Sequence, residues 1–238
     1  MERSRREDRS REHRPKIVAI DGPAGAGKST VARALAERLG YTLVDTGAIY
    51  RCIALKAKRA KVPYDDEAQL LPLVRDARIH FEMEGGVNHV YLDGEDVTDA
   101  IRTPEISLGA STVSAQPLVR AALLDLQRRL ALETDRPGTV LEGRDIGTVV
   151  FPDADHKFFL TAAPEERARR RYQELKMRGQ DVRFEDVLAE QTQRDIQDTT
   201  RSVAPLKPAA DAVVVDSSQM RVDEVVDHLA SYIVGLPG

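Results

Sequence analysis

The residues whose types and spacing announce chemistry are Gly22, Gly27, Lys28 and Ser29: a glycine, four intervening residues, then Gly-Lys-Ser. That is the spacing of a loop that grips phosphate. Backbone N–H groups surround an anion only where no side chain intrudes, and Gly25 and Gly27 keep that space clear. A helix beginning at the loop aims its positive dipole end at the same anion. Lys28 adds a mobile point charge for the β- and γ-phosphates of a triphosphate. The apolar run Ile17-Val18-Ala19-Ile20 leads in and a helical pattern leads out. This strand–loop–helix context separates the match from a chance Gly/Ala-rich turn.

A second group of candidates is basic. Arg51 follows the second expected strand, and Arg144 follows the strand at 139–141. Arg194, Asp198 and Arg201 fall on one face of an expected helix. That trio has two readings. One is a surface ladder of ion pairs, worth about 0–1 kcal/mol. The other is a pair of guanidinium groups facing phosphate, with Asp198 orienting them or holding a sugar hydroxyl.

The elements that must position these groups alternate. Strands are expected at 16–21, 41–44, 139–141, 157–161 and 213–215, with helices between them and Gly40 stopping the first. Helices are expected at about 48–61, 66–77, 104–115, 117–133, 164–178, 184–200 and from 222. On the helix at 117–133, Leu118, Ala122, Leu126 and Leu130 repeat at helical spacing and read as its core face. Glu165/Arg169 and Glu166/Arg170 read as pairs on a solvated face. An antiparallel patch at 78–97, with turns at Gly85-Gly86 and Asp93-Gly94, interrupts the alternation as a small inserted lobe. The pattern predicts an α/β fold, a parallel sheet with helices on both faces. Ligands gather at the carboxyl ends of such strands, so Asp45-Thr46 and Glu142 to Asp145 should stand beside the glycine-rich loop.

Bulk properties narrow the class. The chain has 238 residues, a net charge of −4 and a sequence pI near 5.8, which gives no support for general binding to nucleic-acid polymers. Residues 1–15 hold no large apolar side chain besides Met1 and read as a disordered tail. No apolar run reaches the roughly 18 residues that span a bilayer, and no secretory signal is present. Cys52 is the single cysteine and lies in an apolar helical pattern, which fits core filling and a reducing, cytoplasmic setting. No Asn-Lys-x-Asp stretch marks a guanine-specific GTPase.

Four stretches together resemble the bacterial cytidylate kinase family: Asp21 to Lys28, Asp45 to Arg51, Gly143 to Pro152, and Arg194-Asp195 with Val203 to Leu206. The resemblance runs from about residue 16 to the C-terminus. It implies a P-loop nucleoside-monophosphate kinase fold with a five-stranded parallel sheet, a small antiparallel substrate lobe and a short lid. The core would be 16–61 and 101–238, the inserted lobe 62–100 and the lid 178–200 within the core. Gly179 is then a hinge, or simply a helix terminator. The implied activity moves the γ-phosphate of ATP, bound with Mg²⁺, to CMP or dCMP.

Carried over by position, Gly22, Pro23, Ala24, Gly25, Ala26, Gly27, Lys28, Ser29 and Thr30 hold the ATP phosphates. Thr46, Tyr50 and Arg51 line the monophosphate site. Ser111, Arg120 and Asp145 meet the base, and Arg144, Arg194, Asp198 and Arg201 meet phosphate and sugar. Lys28, Arg144, Arg194 and Arg201 are the implied catalytic cations, and no residue is assigned as a metal ligand. Relatives commonly carry serine where this chain has Thr46, which keeps the hydroxyl. A carboxylate at Asp145 accepts from the cytosine amino group and repels the carbonyl that uracil carries there. The implied partners are small nucleotides only, with no membrane and a monomeric chain. The rivals are a kinase for UMP or AMP, a P-loop kinase for a non-nucleotide acceptor, and a catalytically silent nucleotide-binding regulator.

Overall fold

Strand β1 (Lys16–Asp21) is the middle of the molecule because its alternate residues serve two cores. Ile17 and Ala19 point into one apolar cluster and Val18 and Ile20 into another, all four fully buried. A strand that buries both faces is what a parallel sheet covered on both sides requires. The computed structural model describes residues 14–235, so nearly all of the tail expected at 1–15 lies outside the described residues.

The strands β2 (Thr42–Asp45), β6 (Gly138–Gly143), β7 (His156–Thr161) and β8 (Val213–Asp216) complete a five-stranded sheet in the order β2-β6-β1-β7-β8. All four pairings are parallel. The register pairs Asp21 with Gly143 and Asp45 with Glu142, so three strand ends finish at one level. Helix α1 (Lys28–Leu39) covers one face together with the last helix, α8 (Val222–Val234). The opposite face carries α2 (Thr46–Ala60), α3 (Glu67–Asp76), α4 (Pro104–Ser114) and α5 (Pro117–Leu132).

Strands β3 (Ile79–Glu84), β4 (Val87–Leu92) and β5 (Glu95–Asp96) form a separate antiparallel sheet. Its inward residues Ile79, Val90 and Leu92 join the same apolar cluster as Ile49 and Ile53 of α2. This small sheet has no core of its own. Helices α6 (Pro164–Met177) and α7 (Phe184–Thr200) lean together, with the rings of Tyr172 and Phe184 edge to face at 6.1 Å.

Three local expectations are corrected. The fully buried face of α5 is Val119, Leu123 and Ala131 together with Arg120 and Gln127; of the expected face, Leu126 and Leu130 pack half-buried against this core, while Leu118 and Ala122 face solvent. Two polar side chains take inward positions, so a tally of apolar residues turns the helix by one position. Helix α2 starts at Thr46 directly off β2, because the Asp45 carboxylate accepts from Ala48 N at 2.9 Å and caps it. On α6, Glu166 pairs with both Arg169 (3.1 Å) and Arg170 (3.2 Å). Arg170 is not merely part of a solvated face, since its guanidinium also donates to the Ser217 carbonyl at 2.7 Å.

Candidate active site

The carboxyl ends of β1, β2 and β6 open into a cleft of about 720 Å³. Its floor is the loop between β1 and α1. Gly22 has φ 148°, and a Cβ there would stand 1.9 Å from the Leu160 carbonyl oxygen of β7. Gly25 has φ 75°, and its Cβ would meet the Arg167 carbonyl and Gln191 Nε2, each at 2.9 Å. Both glycines are therefore required by the protein packed around the loop, in addition to any anion above it. Ala24 through Thr30 line the cleft, whereas Gly22 and Pro23 shape the loop from behind.

Lys28 is 7% exposed and donates to the Pro23 carbonyl at 2.7 Å. Burial, and then the nearby Arg144, push its pKa down to about 7. Beside it, burial and then Asp45 push Glu142 up to about 7, and the Ser29 hydroxyl donates to that carboxylate at 2.8 Å. Each of these charges lacks water and lacks a full complement of partners, so each drifts toward neutrality.

The opposite wall rises from α2, α4, α5 and the segment after β6. Thr46 Oγ1 donates to the Glu142 carbonyl at 2.7 Å. Arg51 lies 4.0 Å from Asp45. The Arg120 guanidinium stands 5.5 Å from the Tyr50 ring centroid, donates to the Ser114 carbonyl at 3.1 Å and pairs with Asp145. Both members of that last pair are buried. Ser111 lines the same wall.

Helix α7 closes the third side. Arg144 Nε meets Asp198 Oδ2 at 2.9 Å, and Arg201 Nη1 lies 4.0 Å from Asp198 Oδ1. The side chains of Asp198 and Arg201 are 10% and 9% exposed, so this trio is not a surface ladder. Burial alone would raise the Asp198 pKa, but Arg144, Arg201 and Arg194 together hold it below the ordinary carboxylate value. Burial, then Arg144 and Arg51, lower Arg194 to about 10. Buried Arg194 Nε and Arg201 Nη2 have no hydrogen-bond partner among the described residues. Orphaned charged donors in a dry site are costly, and an anionic ligand is what relieves them.

All the expected site residues except Gly22 and Pro23 thus line one cleft. The cleft also holds residues not anticipated. Gln191 reaches the glycine-rich loop, and it lies three residues before Arg194 on the same face of α7, so helical spacing would have found it. Arg170 stands 3.7 Å from where a Gly27 Cβ would be. Arg167 is buried behind the loop, with Nη1 on the Ala24 carbonyl at 3.1 Å and Nη2 on Asp195 at 2.7 Å. No sequence signal marks Arg167. Among the described residues, twelve cationic side chains line the cleft against five carboxylates, in a chain whose net charge is −4. Such a concentration of positive charge attracts and orients polyanions.

A family model described as cytidylate kinase matches residues 18–234. A protein named cytidylate kinase from Geobacter sulfurreducens is 54% identical over 217 residues, which covers 91% of this chain and 92% of that protein. One of the same name from Syntrophotalea carbinolica is 51% identical over 221 residues, covering 93% of each chain. Another, from Pelotomaculum thermopropionicum, is 51% identical over 218 residues and covers 91% of this chain and 95% of its own.

Proposed function

The chain belongs to the cytidylate kinase family, and from that premise we propose how its own residues carry the reaction. The protein is a kinase that transfers the γ-phosphate of ATP to CMP or dCMP, giving ADP and CDP or dCDP. An anionic oxygen of the acceptor phosphate attacks the γ-phosphorus, and the bond from that phosphorus to the β,γ-bridging oxygen breaks. The attacking oxygen carries no proton to remove, so no general base is needed. What remains for the protein is alignment and charge stabilisation.

In our assignment the loop from Gly22 to Thr30 and Lys28 hold the donor phosphates. Thr46, Tyr50 and Arg51 line the acceptor phosphate site. Arg144, Arg194 and Arg201 span donor and acceptor and meet the charge that builds between them, while Asp198 orients them and faces the sugar. Ser111, Arg120 and Asp145 face the base. The observation that carries this assignment is the pair of buried, unpartnered donors Arg194 Nε and Arg201 Nη2 beside a lysine driven toward neutrality. Phosphate oxygens supply what all three lack.

Mg²⁺ would be held mostly by ATP oxygens. Among the described residues no cluster of three acidic, histidine or cysteine side chains could cage a cation. The Ser29 hydroxyl and the Glu142 carboxylate, 2.8 Å apart, are two protein oxygens that meet at the end of the loop. A two-oxygen site fits a small cation that keeps water and phosphate in its shell, and when bound the ion supplies further neutralisation of phosphate charge.

The inserted lobe at 62–100 and the lid at 178–200 are proposals of the same kind. Support for the first comes from the separate antiparallel sheet, and for the second from the left-handed Gly179 between α6 and α7. Closure there would exclude water from the reacting phosphates. One chain supplies the whole cleft wall, in keeping with a monomer. Among the described residues no helix is long and apolar enough to cross a membrane, and the lone Cys52 is buried, in keeping with a cytoplasmic enzyme. An ADP-release assay across CMP, dCMP, UMP, AMP and shikimate tests the reading. Turnover with CMP and dCMP well above the others is expected, and preference for any other acceptor overturns the base assignment.

A further inference from the structure

Asp21 ends β1 and immediately precedes the glycine-rich loop, yet it does not line the cleft. Its Oδ1 accepts from Ile146 N and its Oδ2 from Gly147 N, each at 2.8 Å. Those two N–H groups open the short helical turn Ile146–Val150. The first donors of any helical turn have no partner within it. Here the Asp145 carbonyl accepts from Val149 N (2.9 Å) and Val150 N (3.2 Å), which leaves the N–H groups of Ile146 and Gly147 for another acceptor. Far along the chain, Arg128 fixes the other end of the turn through the Val149 and Val150 carbonyls.

The turn follows directly on Arg144 and Asp145. Two oxygens of one carboxylate on two successive N–H groups fix the orientation of the peptide planes that leave Asp145. Asp21 is also in register with Gly143, one residue before Arg144. One side chain thereby ties the donor-phosphate loop to the segment that carries the acceptor-site residues.

We propose that Asp21 is a positioning residue for phosphoryl transfer, whose carboxylate clamps the Ile146–Gly147 backbone and so sets both the aim of Arg144 and the base selectivity of Asp145. The inference rests on the assignment of Arg144 and Asp145 to the acceptor site. The clamp is needed in its ionised form, because a protonated oxygen is a poor acceptor facing an N–H. Burial raises the Asp21 pKa to about 6. The charged groups facing it are Asp145 on the clamped segment and Lys28 at the start of α1; the stem of Lys157 of β7 packs against Gly147, but its ammonium is held by Asp211 and the Pro152 carbonyl. The raised value means the carboxylate is lost as pH falls through about 6.

The test is Asp21→Asn, which preserves shape but turns an amide NH₂ toward one of the two N–H groups. Steady-state rates with CMP and with UMP are measured from pH 5 to 8, where the acceptor phosphate titrates alike for both substrates and cancels in their ratio. Expected for the variant are a fall in kcat with CMP of about 30-fold or more, KM for ATP within about threefold, and a CMP-over-UMP preference reduced about tenfold. The wild type should lose the same preference on acidification through about 6, and the variant should show no such limb. Wild-type kcat and an unchanged CMP-over-UMP ratio in the variant overturn the proposal. Should the variant not fold, the amide ¹⁵N–¹H shifts of Ile146 and Gly147 in the wild type decide: they must titrate together with the selectivity ratio, and static shifts refute the clamp. A wild-type protein that ignores CMP brings down the functional reading instead, which is a different result from either outcome of the variant.

Discussion

Replacing Arg194 with methionine should make the free protein more stable and the enzyme far worse. Arg194 keeps its charge in the folded protein although burial, Arg144 and Arg51 lower its pKa to about 10, well below that of a free guanidinium. At pH 7, below both folded and unfolded values, the cation is present in both states and the full penalty applies. A lowering of that size corresponds to about 3 kcal/mol against folding. Part of the side chain still meets solvent, so screening reduces the realised figure to about 1–2 kcal/mol. Methionine fills similar space without charge and also removes the orphaned Nε. For a domain of this size that gain raises Tm by about 2–8 °C. Removing a group that meets transition-state charge should meanwhile lower kcat by about 10²–10³. The measurements are thermal unfolding in phosphate-free buffer without nucleotide, and a coupled ADP-release assay with CMP. CMP should also raise Tm less in the variant. A variant that melts below wild type, or one that keeps kcat within tenfold, refutes the claim that the site stores uncompensated positive charge for use in transfer.

Three other outcomes follow from the same geometry. Asp145→Asn exchanges a carboxylate for an amide that can face either base, so the CMP-over-UMP ratio of kcat/KM should fall about 10–100-fold, and a ratio within threefold of wild type removes Asp145 from base recognition. ATP binding at pH 8 without metal should be accompanied by net proton uptake, since polyphosphate raises both Lys28 and Glu142 from about 7; calorimetry in buffers of different ionisation enthalpy detects this, and a buffer-independent heat refutes it. The Cys52 thiol is buried and its pKa is pushed up to about 12 by burial, so a thiol reagent should leave the folded protein unmodified and react only on unfolding; rapid labelling of active enzyme with loss of activity contradicts its role as core filling.

Much of this site was legible in the chain because the chemistry is local there. The loop from Gly22 to Thr30 binds through consecutive backbone groups, so its spacing alone marks it. Arg194 and Asp198 share a helix, and a period of 3.6 places them on one face without knowledge of anything else, whereas Arg201 is the extended residue that ends the helix and reaches Asp198 from there. The alternation of strands and helices likewise settles a covered parallel sheet. Less local features were misread or missed. Arg120 and Gln127 point inward on α5, and polar residues at buried positions mimic a helix turned by one step. Arg170 does form its expected i,i+4 pair with Glu166, but that it also lines the cleft, beside Gly27 and on the Ser217 carbonyl, depends on tertiary packing.

Residue types and their spacing suffice for which residues hold charge, where the chain must turn and which segments alternate between strand and helix, since these depend on neighbours a few positions away. Tertiary structure decided which charges meet. The order β2-β6-β1-β7-β8 brings Asp45, Glu142 and Asp21 to one edge, and the packing of α7 on the loop leaves Arg194 and Arg201 short of partners. Burial, and with it every shifted pKa in the cleft, is set by what lies within a few ångströms in space, and separation along the chain carries no record of that.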